Sequence, residues 1–303
     1  MLLNLILTLL LVNPLSNVYF PNKHFFDVNG ALLPVRINPE NIGVQVTAKR
    51  FAVIDAGSGA LLFQKDSNLR QPIASITKLM TALVILEKKP VWQKPVQMEK
   101  EDETSGAFPH IYRGEEVRFV DLWKSALISS DNNAIKAMIR ALELKENEFV
   151  GLMNNKARGL GMANTNFTDA TGLSEMNFSS AADVAILIHA ALQKNEIRES
   201  VLQPQYEFAI LNSKKKRKIF NTDILVKSFL NDERYGYELI GGKTSYLDEA
   251  GYCLGVKISH ENHSVIIVVL ASATAADRFQ DVKAIADWVF SNYRWKEVEE
   301  KNQ

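Results

Sequence analysis

Val265–Leu270 reads V-I-I-V-V-L, six apolar residues without a polar break. A half-buried strand would alternate, so this run fits a strand covered on both faces. Such a strand needs one layer above it and another below, and the rest of the chain has to supply them. Four other stretches read as strands: Val46–Ile54, Ala60–Gln64, Leu239–Thr244 and Tyr252–Ile258, with the opening run inside a fifth, Ser264–Ala271. Turn chemistry separates them at Asp55–Gly59, Asp248–Gly251 and His260–His263.

Between the second and third strands the spacing becomes helical. Ile76, Leu79, Met80, Leu83 and Val84 mark one face of a helix opening within Pro72–Ala82. Asp121 is the expected N-cap of a helix carrying Leu122, Ala126 and Leu127, which ends in the polar cluster Ser129–Asn133. Ala134–Leu144, Glu146–Leu160 and Ala181–Leu192 follow, the last behind Ser180-x-x-Asp183, which resembles a capping box. A final helix is expected over Asp277–Tyr293. The expected fold class is α+β: a five-stranded antiparallel sheet flanked by helices, plus a mainly helical lobe. The joint between sheet and lobe would form a cleft, a common place for a site.

Bulk properties exclude several function classes. Lys plus Arg and Asp plus Glu both total 35, so no net charge draws the chain to nucleic acid or to an anionic membrane. Cys253 is the only cysteine, which rules out an intramolecular disulfide and a cysteine-based metal site. The basic run Lys214–Lys218 lies between two strand-like segments and reads as a solvated hairpin tip. Leu2–Val12 has the length of a signal-peptide apolar region and is too short to span a bilayer. No Lys or Arg precedes it, and no cysteine nearby could carry a lipid. Residues 1–20 are expected to be a signal peptide or N-terminal anchor, and residues 21–45, with their prolines, a linker or extended arm.

Ser75 and Lys78 stand three residues apart at a helix start, where i and i+3 are neighbours. A hydroxyl becomes a useful nucleophile when a base takes its proton, and a lysine whose pKa is lowered by burial or a nearby cation can be that base. Alone the pattern is weak. Two more motifs give it company: Ser130-Asp-Asn132 at the end of a helix, and Lys243-Thr244 after Gly241-Gly242 on a strand. None of His24, His110, His189, His260 or His263 lies in a hydrolase motif, and the glycines around Ser58 miss the nucleophile-elbow spacing.

The order S-x-x-K, S-x-N, K-T resembles the signature of serine penicillin-recognising enzymes. Asn154–Leu173, Asn221-Thr222-Asp223 and Gly241–Gly255 narrow it. They are similar to segments of the low-molecular-mass penicillin-binding proteins, the serine-type D-Ala-D-Ala carboxypeptidases, whose own step at 221–223 reads N-T-N. The similarity runs from about Ala48 to about Trp288 and covers the catalytic domain alone, expected here over residues 46–295 with a charged tail at 296–303. The chain ends before the C-terminal β-domain and amphipathic tail of the longer members. The resemblance implies the β-lactamase/transpeptidase-like fold and an extracytoplasmic DD-peptidase with roles in peptidoglycan biosynthesis and cell shape.

The same resemblance implies the roles. Ser75 would be the nucleophile, Lys78 its base and Ser130 a proton relay. Asn132, Lys243 and Thr244 would bind substrate, and backbone N–H groups of Ser75 and Tyr246 would form the oxyanion hole. Peptidoglycan stem peptides would be the substrate and β-lactam antibiotics covalent inhibitors, with no metal or cofactor, no nucleic acid, and membrane contact only through an uncleaved N-terminal segment. No E-x-x-L-N pentapeptide lies between Asn133 and Gly172, which disfavours a class A β-lactamase. A DD-endopeptidase, using the same machinery on cross-links, and a non-catalytic peptidoglycan-binding relative are the alternatives. One departure stands out: Ser245 occupies the glycine place of K-T-G. Alternate strand side chains face opposite ways, so Ser245 is expected to point away from the cleft.

Overall fold

A computed structural model of the chain describes residues 33–104 and 109–295. The Leu2–Val12 segment, residues 1–20 and the tail 296–303 lie outside the described residues. Five antiparallel strands form the main sheet: β1 (Arg50–Asp55), β2 (Leu61–Lys65), β3 (Tyr237–Leu247), β4 (Gly251–His260) and β5 (His263–Ser272). Their order across the sheet is β3-β4-β5-β1-β2, so the C-terminal hairpins and the N-terminal hairpin meet along β5 and β1. The expected α+β architecture is the observed one.

The unbroken apolar run lies on β5, at the centre of this sheet. Ile266, Val268 and Leu270 face one core, with Leu79, Leu83, Ile186 and Leu187 of the helical lobe. Val265, Ile267 and Val269 face a second core, with Val282, Ile285 and Val289. All six are fully buried, and each such side chain contributes roughly 1.5–3 kcal/mol relative to exposure. The helices are α1 (Thr77–Glu87), α2 (Phe119–Ile128), α3 (Asn132–Ala141), α4 (Glu146–Gly159), α5 (Ala181–Leu192), α6 (Asn195–Val201) and α7 (Asp277–Asn292). Helix α5 is buried on nearly all sides, as its apolar sequence requires, and α7 covers the far face of the sheet.

Local chemistry sets the boundaries. Glu261 and Asn262 close the β4–β5 hairpin with φ of 48° and 67°, the left-handed pair that suits the twist of a two-residue loop. Ser180 caps α5, its hydroxyl accepting from the Asp183 N–H at 3.2 Å. Asp121 is not an N-cap: α2 begins at Phe119, and the Asp121 carboxylate reaches back to accept from the Arg118 N–H at 3.0 Å. A carboxylate in the first turn serves the same orphan donors from the third position. The basic run is only half a tip. Lys216–Phe220 pairs as a strand with Gln205–Ala209, leaving Lys214 and Lys215 in the turn.

One irregularity in β3 matters for the cleft. The β3–β4 register shifts between Leu239 and Gly241, leaving Ile240 unpaired. Leu239 faces the α7 side, yet a Cβ on Gly241 would meet Leu192 of α5 on the opposite side. The bulge therefore turns the following odd-numbered positions, Lys243 among them, toward the helical lobe.

Candidate active site

Ser75 sits in a single 3-10 turn, Ala74–Ile76, that runs directly into α1. The helix start expected at Ser75 and Lys78 is the observed one, and Gln71–Pro72 just before it pairs with Phe178–Ser179. Ala74 holds a φ of 47°, a strained value for a residue with a Cβ. The strain immediately precedes the partly exposed Ser75. Beneath it, Lys78 is completely buried.

The Lys78 ammonium position has three partners: Ser75 Oγ at 2.9 Å, Asn132 Oδ1 at 2.5 Å and the Thr171 carbonyl oxygen at 2.7 Å. Two of these can only accept. The ammonium form donates to all three; in the neutral form two N–H bonds serve the acceptor-only partners and the lone pair is left for the Ser75 hydroxyl. Burial first, and the charge of Lys243 second, hold the Lys78 pKa well below its ordinary value; Asp131 and Asp169 act weakly in the opposite direction.

Ser130 and Asn132 flank the α2–α3 junction. Ser130 has a φ of 65°, and Asp131 caps α3, accepting from the N–H groups of Asn133 and Ala134 at 2.9 and 3.2 Å. The other Asp131 oxygen accepts from the His110 N–H at 2.8 Å, pinning the junction to the preceding loop. Ser130 Oγ accepts from Lys243 Nζ at 3.1 Å, and that amine also donates to the Thr244 carbonyl at 3.0 Å. Burial and the neighbouring Arg278 guanidinium lower the Lys243 pKa to about 7, while Asp223 raises it. Thr244 Oγ1 lies 2.6 Å from Thr222 Oγ1. Among the described residues strand β3 is a sheet edge, and it packs along the Ser75 turn. Tyr246 is on that edge; its ring stacks on Tyr252 and its hydroxyl donates to Asp248 at 2.5 Å.

The motif residues named from sequence therefore converge. Ser245 does not point away as expected. It pairs with Cys253 across the ladder and shares the Lys243 face toward the helical lobe. It is buried, and its hydroxyl lacks a well-formed hydrogen bond. The Cys253 thiol beside it is pushed up to about 11 by burial, which the Ser245 hydroxyl partly offsets. Simple alternation from Lys243 puts Ser245 on the same face, and the bulge at Ile240 turns that face toward the lobe.

Several residues escaped the sequence reading. Arg278, at the start of α7, donates to the Ser245 carbonyl at 3.0 Å. No local pattern links it to a strand more than thirty positions earlier. Asp169 organises the loop behind Lys78: its Oδ1 accepts from Thr171 N, Thr171 Oγ1 and Gly172 N at 2.6, 2.7 and 2.7 Å, and its Oδ2 from Ser174 N at 2.8 Å. The stretch Asp169-Ala-Thr-Gly172 carries turn chemistry, but no local pattern says which carbonyl it presents. Among the described residues no group of three His, Cys, Asp or Glu side chains could hold a metal ion.

A family model described as D-alanyl-D-alanine carboxypeptidase matches residues 36–274. The chain is 34% identical to D-alanyl-D-alanine carboxypeptidase DacF of Bacillus subtilis over 84% of this chain, and spans 65% of that relative's length. It is 34% identical to a D-alanyl-D-alanine endopeptidase of Haemophilus influenzae, covering 78% of this chain and 80% of the relative. Among solved structures, the Streptomyces K15 DD-transpeptidase superposes with a TM-score of 0.73 at 25% identity, over 82% of this chain and 99% of that one.

Proposed function

We propose, from the premise that this chain belongs to the D-alanyl-D-alanine carboxypeptidase family, that it is a penicillin-sensitive serine DD-peptidase acting on peptidoglycan stem peptides. The observation that carries this reading is the triple contact of Lys78 with Ser75, Asn132 and Thr171. It leaves the amine one lone pair, aimed at a hydroxyl. Lys78 takes the Ser75 proton as Oγ attacks the carbonyl carbon of the D-Ala–D-Ala bond. Backbone N–H groups of Ser75 and Tyr246 receive the developing oxyanion. The proton passes from Lys78 through the Ser130 hydroxyl to the leaving nitrogen, the C–N bond breaks, and an ester on Ser75 remains. Water then attacks that ester with Lys78 again as base, freeing Ser75.

Substrate binding follows the charges. Asn132 contacts the peptide backbone of the substrate, and Lys243 with Thr244 receives its terminal carboxylate. Such a substrate places the enzyme on the extracytoplasmic side, and Leu2–Val12 would serve as an export signal or anchor. Among the described residues no helix is long and apolar enough to cross a membrane. Endopeptidase action on cross-links is a second reading, favoured by the relatives named as endopeptidases, whose length the chain covers more fully.

The test is covalent. A fluorescent penicillin should label the purified protein with a mass shift on Ser75, and Ser75→Ala should abolish it. An unlabelled wild-type protein, or a labelled Ser75→Ala, would sink the reading. Parallel digestion of a pentapeptide and a cross-linked dimer separates carboxypeptidase from endopeptidase.

A further inference from the structure

Asp223 is a charged residue where the family segment it resembles has asparagine, and it lies beside the Thr222–Thr244 contact. Only 3% of it is exposed. One carboxylate oxygen accepts from the Leu225 N–H at 2.9 Å; the other, Oδ2, is buried without a hydrogen-bond partner. An ionised carboxylate in such a place is costly unless cations offset it. Two do: Lys243 from β3 and Arg278 from α7 both act on it, and the one charged side chain of its own turn, Lys227, is exposed.

The surrounding step is rigid. Asn221 Nδ2 donates to the carbonyls of Val201 and Gln203 at 2.7 and 2.9 Å, and its Oδ1 accepts from the Asp223 N–H at 2.8 Å. The Thr222 N–H reaches the Ile128 carbonyl at 3.1 Å, joining this step to the helix that leads into Ser130. With Lys78 neutral as the proposed base, Lys243 and Arg278 supply two cations, Asp223 one anion, and the site is left with a single positive charge for one incoming carboxylate. With asparagine at 223 two uncompensated cations would share a buried space, and the lysine is the one able to shed a proton.

We propose that Asp223 is a positioning residue for substrate-carboxylate binding: its buried carboxylate keeps the Lys243 ammonium charged while its backbone step fixes the Thr244 hydroxyl. The inference rests on the DD-peptidase reading and adds to it a determinant of working pH. Burial raises the Asp223 carboxyl to about 6, so it is mostly ionised at neutral pH, where Lys243, at about 7, is close to losing its proton.

The experiment compares the full-length wild type with Asp223→Asn, which preserves shape and the acceptor for Leu225. Second-order acylation by a fluorescent penicillin is measured from pH 5 to 9, and Lys243 is titrated by side-chain NMR without ligand. In Asp223→Asn the basic limb should move down by about one pH unit, with about a tenfold loss above pH 7 and little change near pH 5.5, and the Lys243 titration should fall in parallel. Superimposable profiles and an unmoved Lys243 titration would overturn the inference, because a purely structural cap would give that result. Absence of wild-type labelling at every pH would defeat the DD-peptidase reading instead, and the ligand-free Lys243 titration would still decide the role of Asp223.

Discussion

Gly172 passes so close to Ala74 that a Cβ on the glycine would stand 2.2 Å from the Ala74 carbonyl oxygen. Its φ of 87° is also one that side chains rarely adopt. The contact presses the loop that carries the Thr171 carbonyl against the turn that carries Ser75. Gly172→Ala should therefore cost about 3 kcal/mol or more in urea unfolding. Acylation of whatever folds should drop about a hundredfold, since an ångström of displacement at the nucleophile is enough.

Asp169 holds the same loop from the other side. Asp169→Ala would orphan the N–H groups of Thr171, Gly172 and Ser174 and lower stability by about 2 kcal/mol. The Thr171 carbonyl would no longer be fixed against Lys78. We expect at least a tenfold slower penicillin acylation with Ser75 still the labelled residue, read by stopped-flow fluorescence and peptide mapping.

On the proposed mechanism the two lysines set opposite limbs of the pH profile. Lys78 acts as a free base, and burial with the Lys243 charge holds its pKa low, so activity should rise with pH on the acid side. Lys243 acts as a cation with a pKa of about 7 in the unliganded site, so the second-order rate should fall above that pH. A bound carboxylate favours the ammonium form, so the basic limb of kcat should lie at higher pH than that of kcat/KM. Coincident basic limbs would contradict this assignment.

Asp223 should cost the fold stability. Its carboxyl is raised from 3.8 to about 6 on folding, so the folded state binds the proton more tightly than the unfolded one. Stability on this account is highest below about pH 4, declines as pH rises to about 6, and the penalty is complete above that. Asp223→Asn should therefore be more stable than wild type by about 3 kcal/mol at pH 7.5, a gain that vanishes near pH 4. Denaturant titrations at the two pH values check it.

Ser245 buries a hydroxyl without a well-formed partner. Ser245→Ala removes that group and keeps the methylene, and should raise stability by about 1 kcal/mol. The Arg278 bond goes to the Ser245 backbone carbonyl and survives the change. Ser245→Gly should acylate at a rate within about threefold of wild type, since the edge strand and its register do not depend on this side chain. A large gain in Ser245→Gly would mean that the serine obstructs the oxyanion donor at Tyr246.

How much was legible follows from the range of each interaction. The β5 run, the hairpin turns and the α5 cap are written locally, because period, turn chemistry and capping act over a few residues. Asp121 misled at that same scale: a first-turn carboxylate can sit at the cap or three residues in, and the sequence reads alike for both. The helix start at Ser75 is written in the apolar spacing that follows it, whereas the pairing of Gln71–Pro72 with distant Phe178–Ser179 is not.

By itself the sequence determined a doubly covered central strand, a sheet of five, and a set of short polar motifs whose order resembles that of the serine penicillin-recognising enzymes. It could not say which face of the sheet Lys243 and Ser245 share, because the bulge at Ile240 flips every later side chain of β3 and leaves no local signature. Nor could it bring Arg278, Asp223 and the Thr171 carbonyl to the motifs. Those placements arise where the two cores seat α7 and the helical lobe on opposite faces of one sheet. Tertiary structure decided the electrostatics for the same reason: a lysine becomes a base or stays a cation according to the burial and the charges that packing puts around it.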